Sequence, residues 1–509
     1  MVLYRRIIAS IEALLLAAAI LLGIGLRFDL DTKSIDFDAG LFAYTAQRVL
    51  NDPAGTAHYT DYFDNMPPLI YKIYGLSYSF WGQTPRAVHM TSVVPDIAVI
   101  FLVFLLGRFW ISNRAGLWAA ALYSLSYVPL RLSHFGQSEN AAMATVLLAL
   151  LIFSRTVDEE PDKRRVGLLL AGVFLGMGSM IKQPVVFYLL ALGLYMALMQ
   201  AGRWRMLSRS AAHFSIIAAG FAAFLLLTGL VLLACGILYE AVYACFLFPF
   251  SNQDIYGMTT AQKWAEFMVK GASLFPFLLV LAAVGLLRLV VLRERWLLLA
   301  VTCLLCVTGF YCWTGDFFQH YLLYALPLLA LLAGGAVDFA QTAKRMAPLR
   351  LVVALIVVAV IGCQYDIMRR ARYGYGEIVD ERTGTLEYYY RHDNSLRYQL
   401  GMANCIREHM EPGDRIFSTT PTYNFLLNEP NNYTQYYVAP LTRLASGGFE
   451  NLDEYLDRTT FALIELSRRD YLPTDQVEEF ENRWERVRCT VEGSSPNSVL
   501  VFRNPNPQR

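Results

Sequence analysis

Charge imbalance is what this sequence has least of. Forty-three lysines and arginines face 42 aspartates and glutamates, for a net charge of +1, and no strongly basic or acidic tail exists. That balance argues against nucleic acid as the main partner. A glycine-rich loop of the kind that cradles nucleotide phosphates is missing, as are internal repeats and low-complexity tracts. Cysteine is sparse. Cys235, Cys303, Cys306, Cys312 and Cys363 lie in or beside apolar runs, and Cys303-x-x-Cys306 is half of a zinc pattern with no second pair nearby. Buried packing thiols are the expectation there. Cys405 and Cys489 fall in the polar C-terminal part, where a disulfide is open to them if that part is extracytoplasmic, although spacing alone does not decide it.

What the sequence has in quantity is apolar residue. The chain is 56% apolar with a mean hydropathy of +0.38, and the apolar residues come in long blocks, so it is an integral membrane protein. Arg5 and Arg6 precede an apolar run from Ile7 to about Leu26. That run is too long for a signal-peptide core and no small-x-small cleavage site follows, so it is expected to be an uncleaved first span. About eleven spans are expected, centred on 7–26, 87–107, 115–132, 139–154, 166–181, 184–201, 211–238, 273–291, 296–313, 321–340 and 349–367.

Lysine and arginine fix the expected orientation. With the N-terminus cytoplasmic, the cytoplasmic turns carry Arg108 and Arg114, then Arg155 and Lys163 to Arg165, then Arg203, Arg205 and Arg209, then Arg288, Arg293 and Arg295, then Lys344, Arg345 and Arg350. The opposite turns are poor in positive charge. The loops at 27–86, 131–139, 182–184, 239–272 and 314–320, and the chain beyond about Tyr365, then share the outer face. Two domains are expected: a transmembrane part over 1–367 and a soluble extracytoplasmic α/β domain over 368–509. In the latter, 396–410 has helical spacing, Gly413 to Ser418 reads as turn then strand, and Asp453 to Arg458 as helix. Phe461 to Leu466 suits a buried strand, and Val487–Val491 with Ser498–Phe502 suits a terminal hairpin.

Candidate chemistry gathers on the outer loops. The first contains Asp36, Asp38 and Tyr44, then Asp64-Asn65-Met66-Pro67-Pro68. A carboxylate just beyond a span can deprotonate or orient an incoming hydroxyl. An isolated loop aspartate is more often simply solvated, but Asp38 has Phe37, Phe42 and Tyr44 around it to desolvate it. Glu139, in Ser138-Glu139-Asn140, opens the fourth span. An acid at that place is costly unless it is paired or wet, and it is also a normal partner for a helix N-terminus. Lys182-Gln183-Pro184 reads either as a turn with a snorkelling lysine or as a cation for a phosphate leaving group. His320-Tyr321 reads either as an interfacial belt pair or as a site where His320 donates a hydrogen bond to a phosphate or positions a substrate.

These pieces, in this order, resemble the GT-C fold glycosyltransferases of the protein O-mannosyltransferase superfamily, which includes the bacterial transferase that puts aminoarabinose on lipid A. The similarity covers about residues 1–340. It implies a polytopic α-helical membrane enzyme that moves a sugar from a polyprenyl-phosphate donor to a lipid, glycan or protein acceptor at the outer membrane boundary. Carried over by position, Asp38 matches the first-loop catalytic aspartate and Glu139 the second-loop acidic residue, both counted as catalytic candidates, Lys182 and His320 match residues near the donor phosphate, and Asp64 and Asn65 match the wall of the site. Tyr44, Gln183, Tyr321 and, with its role open, Asp36 are further substrate-binding candidates. The first loop departs from the family in two places. Ala39 follows Asp38 where many relatives have glutamate, and Met66 precedes the double proline where many have lysine. Phosphate contacts are therefore expected from Lys182 and basic neighbours such as Arg131. Nothing visible requires a metal, although some GT-C enzymes use one. A bacterial inner membrane is the expected location. The rival readings are a transporter or flippase, whose charges line a midplane pathway, a polysaccharide polymerase or ligase, and a partner-binding scaffold.

Overall fold

The computed structural model describes residues 2–28, 34–51, 65–200, 204–248, 276–314, 319–342, 396–429, 456–465, 482–489 and 499–505, with isolated residues at 59, 259–262, 264–265, 269, 352–353, 355–359, 362, 480 and 507. Among the described residues it is mostly helical with one small sheet. The chain forms two compact units. One comprises residues 1–28, 92–232 and 256–368; the other comprises 29–91, 233–255 and 369–509. Residues 29–91 therefore cluster with the C-terminal residues, a different division from a single cut near 367.

The first unit holds α1 (Val2–Leu26), most of α4 (Pro85–Trp110), α5 (Asn113–Ser124), α6 (Tyr127–Ser133), α7 (Ser138–Thr156), α8 (Pro161–Ser179), α9 (Val186–Leu198), α10 (Trp204–Ala234), α12 (Pro276–Leu292), α13 (Arg295–Thr314) and α14 (Leu322–Thr342). Among the described residues, four helices are long and apolar enough to cross a bilayer: Pro85–Trp110, Ser138–Thr156, Ser208–Ala234 and Leu322–Ala340. Shorter apolar helices include Ser10–Leu26, Gln183–Leu198, Leu278–Leu292 and Arg295–Phe310. The expected run at 115–132 is two helices, α5 and α6. The α5 C-cap is Leu125, and Ser126 begins the next turn while its hydroxyl returns to the Leu122 carbonyl at 2.6 Å. The run at 349–367 lies largely outside the described residues.

Helix α10 shows why this unit belongs in lipid. Leu226, Leu227, Leu230 and Leu233 are all more than half exposed, an apolar face that water would not tolerate. Its other face packs backbone to backbone on α8. A Cβ on Gly172 would sit 2.0 Å from the Ile217 carbonyl, and one on Gly220 would sit 2.1 Å from that of Leu169. Glycine at these positions lets two membrane helices approach closely, which is where dispersion contributes most without a hydrophobic drive.

The second unit contains α2 (Phe37–Asn51), α3 (Leu69–Trp81), the short α11 (Leu238–Val242), α15 (Leu396–His409), α16 (Pro421–Leu427) and strands β1 (Ile416–Ser418), β2 (Phe461–Glu465), β3 (Glu485–Val487) and β4 (Val499–Arg503). The sheet order is β1-β2-β4-β3, with β1 parallel to β2 and the other pairs antiparallel. Strand alternation sorts the two faces. Ile416, Phe461, Leu463, Val499 and Val501 pack on Tyr398, Met402 and Ile406 of α15 and on Tyr423 and Leu427 of α16. The opposite face stacks Phe417, Phe480 and Phe502, with Trp484 edge-on to Phe480. The helix expected over 396–410, the strand after Gly413 and the buried strand from Phe461 are all present. The hairpin is present with its first strand at 485–487, two residues before the expected 487–491. Of the helix expected over 453–458, residues 453–455 lie outside the described residues, and Leu456 and Asp457 are helical. Cys405 and Cys489 are disulfide-bonded.

Candidate functional site

In the first unit, three outer-loop candidates converge. Gly136, at φ +66°, turns the chain out of α6, and α7 starts two residues later with Ser138 and Glu139 in its first turn. A carboxylate there is favoured by the helix dipole. Helix α8 ends at Ser179, and Lys182 stands extended (φ −152°) before a 3-10 turn at Gln183–Val185 that leads into α9. A second 3-10 turn, Gln319–Tyr321, leads into α14. Lys182 Nζ lies 3.0 Å from Glu139 Oε1, and the two side chains are 6% and 0% exposed. His320 Nε2 lies 3.8 Å from the same oxygen and is 16% exposed. The 3.0 Å contact is an ion pair rather than a well-aligned hydrogen bond, since Oε1 has no hydrogen-bond partner of good geometry.

A buried carboxylate is tolerable only with such company. With Lys182 charged, the pair is neutral, and a protonated His320 would make the cluster net positive. Net positive charge with a lysine point charge suits an oxyanion such as phosphate. The next residue, Asn140, donates from Nδ2 to Ser92 Oγ at 2.8 Å, and this fixes the start of α7 against α4. Arg131 is held over the rings of Tyr127 and Phe135, 5.9 and 5.7 Å from their centroids. Tyr321 meets the His320 ring edge-on at 4.5 Å.

In the second unit, Asp36 immediately precedes α2, and its carbonyl accepts from the Gly40 amide at 2.8 Å. Asp38 is in the first turn of α2 and is half-buried. From Ala39 to Gln47 the helix is buried throughout, with Tyr44 fully covered. The C-terminal residues hold it. Gln399 of α15 donates to the Ile35 carbonyl at 2.9 Å and accepts from the Ile35 amide at 2.8 Å. Arg48 donates to both Asn428 oxygens at 2.8 Å, where Asn428 closes α16 in the left-handed region (φ +59°). Gly40 permits the approach, for a Cβ there would lie 2.3 Å from Thr422 Oγ1. Tyr78 donates to the Ala43 carbonyl at 2.8 Å and stacks on Phe425. Burial, with a smaller contribution from Tyr74, pushes its phenol well above the ordinary range, so the donor proton stays in place.

Asn65 is half-buried beside Met66, whose carbonyl accepts from Tyr59 at 2.8 Å and from the Cys245 thiol at 3.2 Å. Asp64 lies outside the described residues. Among the described residues, no three of His, Cys, Asp and Glu gather as metal ligands would.

Residues 65–228, about a third of the chain, match the dolichyl-phosphate-mannose-protein mannosyltransferase family. ArnT from Cupriavidus metallidurans in the apo state superposes with a TM-score of 0.61 at 14% identity, over 97% of this chain and 98% of that one. The chain has the GT-C fold. Two further GT-C structures are similar. ArnT bound to undecaprenyl phosphate gives a TM-score of 0.62 at 13% identity, over 96% of this chain and 97% of that one. The oligosaccharyltransferase of Archaeoglobus fulgidus in the apo form gives 0.54 at 12% identity, over 90% of this chain and 70% of that one. No curated protein sequence matches the chain significantly.

One buried network in this GT-C chain escapes a motif-based reading. Arg27, just beyond α1, is fully buried and donates through Nε to Asp96 at 2.5 Å and through Nη1 to the Gly23 and Ser124 carbonyls. Tyr123 donates to the other Asp96 oxygen at 2.7 Å. Asp96 follows Pro95 inside α4, and an intramembrane carboxylate of this kind was the available signal.

Proposed function

We propose that this chain is a membrane glycosyltransferase that takes a sugar from a polyprenyl-phosphate donor and passes it, by inverting displacement, to an extracytoplasmic acceptor. The observation that carries the reading is the buried Glu139–Lys182–His320 cluster in a GT-C fold. A lipid-bound donor needs no nucleotide pocket, only cations where its phosphate reaches the surface. Lys182 and His320 would stabilise the departing prenyl phosphate. Glu139 pairs with Lys182 and keeps it in place. Asp38, at the start of α2, would take the proton of the acceptor hydroxyl as the anomeric carbon–oxygen bond to phosphate breaks. Displacement of this kind needs one base and a stabilised leaving group. The bound lipid phosphate in ArnT supports the donor class.

The same reading includes about eleven spans in an inner membrane, a cytoplasmic N-terminus and an extracytoplasmic C-terminal domain. Two observations support that side for the C-terminus: the lysine and arginine distribution, and the Cys405–Cys489 bond, which persists in oxidising compartments. The test is turnover of a panel of radiolabelled polyprenyl-phosphate sugars by the purified protein beside Asp38→Asn. Release of polyprenyl phosphate by the wild type and its loss, by roughly 100-fold or more, in the variant is the expected result. Equal turnover by both would remove Asp38 as base. A well-folded wild type that consumes no donor in the presence of lipid, glycan and peptide acceptors would favour the transporter reading.

A further inference from the structure

At the end of the first unit opposite Glu139, two helix ends enclose a groove that the transferase reading leaves unused. Glu139 and Arg155 are both on α7, sixteen residues apart, so about 24 Å separates them along the axis. The groove has a volume of about 520 Å³ and is lined by Leu105, Arg108 and Phe109 of α4 and Leu151 and Arg155 of α7. The two ends are fixed to each other, since Trp110 Nε1 donates to Ser154 Oγ at 2.8 Å. Arg155 lies 4.9 Å above the Phe109 ring, which holds its guanidinium at the groove edge.

What sets this groove apart from the rest of that end is the apolar floor beneath its charges, since Arg165 and Arg293 are also exposed with no carboxylate partner among the described residues. Arg114 pairs with Glu12, Arg288 with Glu294 and Asp338, and Arg295 with Asp158. Arg108 and Arg155 have no carboxylate partner among the described residues, yet both are exposed over the same apolar floor. Two guanidiniums above Leu105, Phe109 and Leu151 are complementary to a molecule with an anionic head and an apolar tail. We infer that this groove binds an anionic glycerophospholipid, its phosphate between Arg108 and Arg155 and an acyl chain along Leu105, Phe109 and Leu151. A guanidinium grips phosphate through two parallel donors. Basic pockets between spans near the headgroup level are where such lipids are held.

The test is native mass spectrometry of the delipidated full-length protein titrated with phosphatidylglycerol, or with phosphatidylethanolamine of the same chains. The wild type should prefer phosphatidylglycerol. The double variant R108Q/R155Q should bind it roughly thirty-fold more weakly, and each single variant about five-fold more weakly. Both arginines are exposed, so the variants should keep the wild-type unfolding temperature. Lys163→Gln, the same charge change at the same end, should leave binding intact. Equal binding of the two lipids by the wild type would overturn the proposal. So would unchanged affinity in the double variant, or an equal loss in Lys163→Gln. Loss of the preference under excess inorganic phosphate would reassign the groove to a soluble anion. Donor turnover is not the readout, so failure here leaves the transferase reading standing.

Discussion

Replacing Lys182 with glutamine removes a cation 3.0 Å from a fully buried carboxylate. Breaking a buried pair from one side costs about 3–5 kcal/mol, because the remaining charge keeps its desolvation penalty without its partner. His320, 3.8 Å from the same oxygen, can offset part of that when protonated, so a loss near 3 kcal/mol is expected. Removing both charges together, in Glu139→Gln/Lys182→Gln, eliminates the stranded ion and should restore most of the stability. Chemical denaturation of the detergent-solubilised protein measures the two singles and the double, and the cycle yields their coupling. Turnover of the polyprenyl-phosphate donor, measured on the same four proteins, separates structure from chemistry. The double variant should be nearly as stable as the wild type and still lack turnover, because the phosphate cation is gone in both. A double variant that recovers stability and turnover together would refute a role for Lys182 at the leaving group and leave a purely structural pair. A single variant that costs less than about 1 kcal/mol would refute the premise that the ion is stranded at all.

Two further outcomes follow from the second unit. Gln399→Ala unmakes both hydrogen bonds to the buried Ile35 backbone, and with each orphaned buried group costing about 1–3 kcal/mol, residues 34–40 should open more readily. Hydrogen exchange of a peptide over that segment should speed up while α15 itself stays protected; unchanged exchange would show that Gln399 does not secure the entry to α2. Cys405→Ser/Cys489→Ser opens a covalent loop spanning 84 residues, worth about 4–5 kcal/mol by chain entropy. Limited proteolysis should cut the C-terminal region of the serine variant faster, and identical cleavage rates would contradict that account.

How far the sequence could be read depended on the range of the interaction. Helices with an apolar block and a clear stop, such as α7 and α14, were legible because hydropathy alone demands them. The strand at Phe461 was legible because the apolar run Phe461 to Ile464 is too short for a buried helix, and length favours a strand there. Glu139, Lys182 and His320 were picked out one at a time, as charges in places where charge is costly. Their convergence on one oxygen depends on how α7, α8 and α14 pack, and no local pattern encodes that. The break between α5 and α6 was missed because Leu125 and Ser126 interrupt the helix without disturbing the apolar run. Arg27 looked like a boundary residue of the first span. Its burial came from Asp96, 69 residues away.

The C-terminal residues posed the hardest question for the sequence, because composition marked them as a separate polar domain with no evident task. Their contacts suggest one. Gln399 grips the backbone one residue before Asp36, Asn428 caps α16 while receiving Arg48 of α2, and Thr422 leaves room only for glycine at position 40. These contacts lie on both sides of Asp38 along the chain, at 35, 40 and 48. A loop aspartate on a mobile segment would have to be ordered in every reaction cycle, at a cost of roughly 1–2 kcal/mol for each backbone residue fixed. A helix already buried from Ala39 to Gln47 incurs that cost once, on folding. If Asp38 is the base, the C-terminal region contributes to the reaction without touching substrate, by keeping the start of α2 in place. That is why Gln399→Ala should lower donor turnover together with protection at residues 34–40. A variant with looser exchange and wild-type turnover would separate the two and return the C-terminal region to a stabilising role alone.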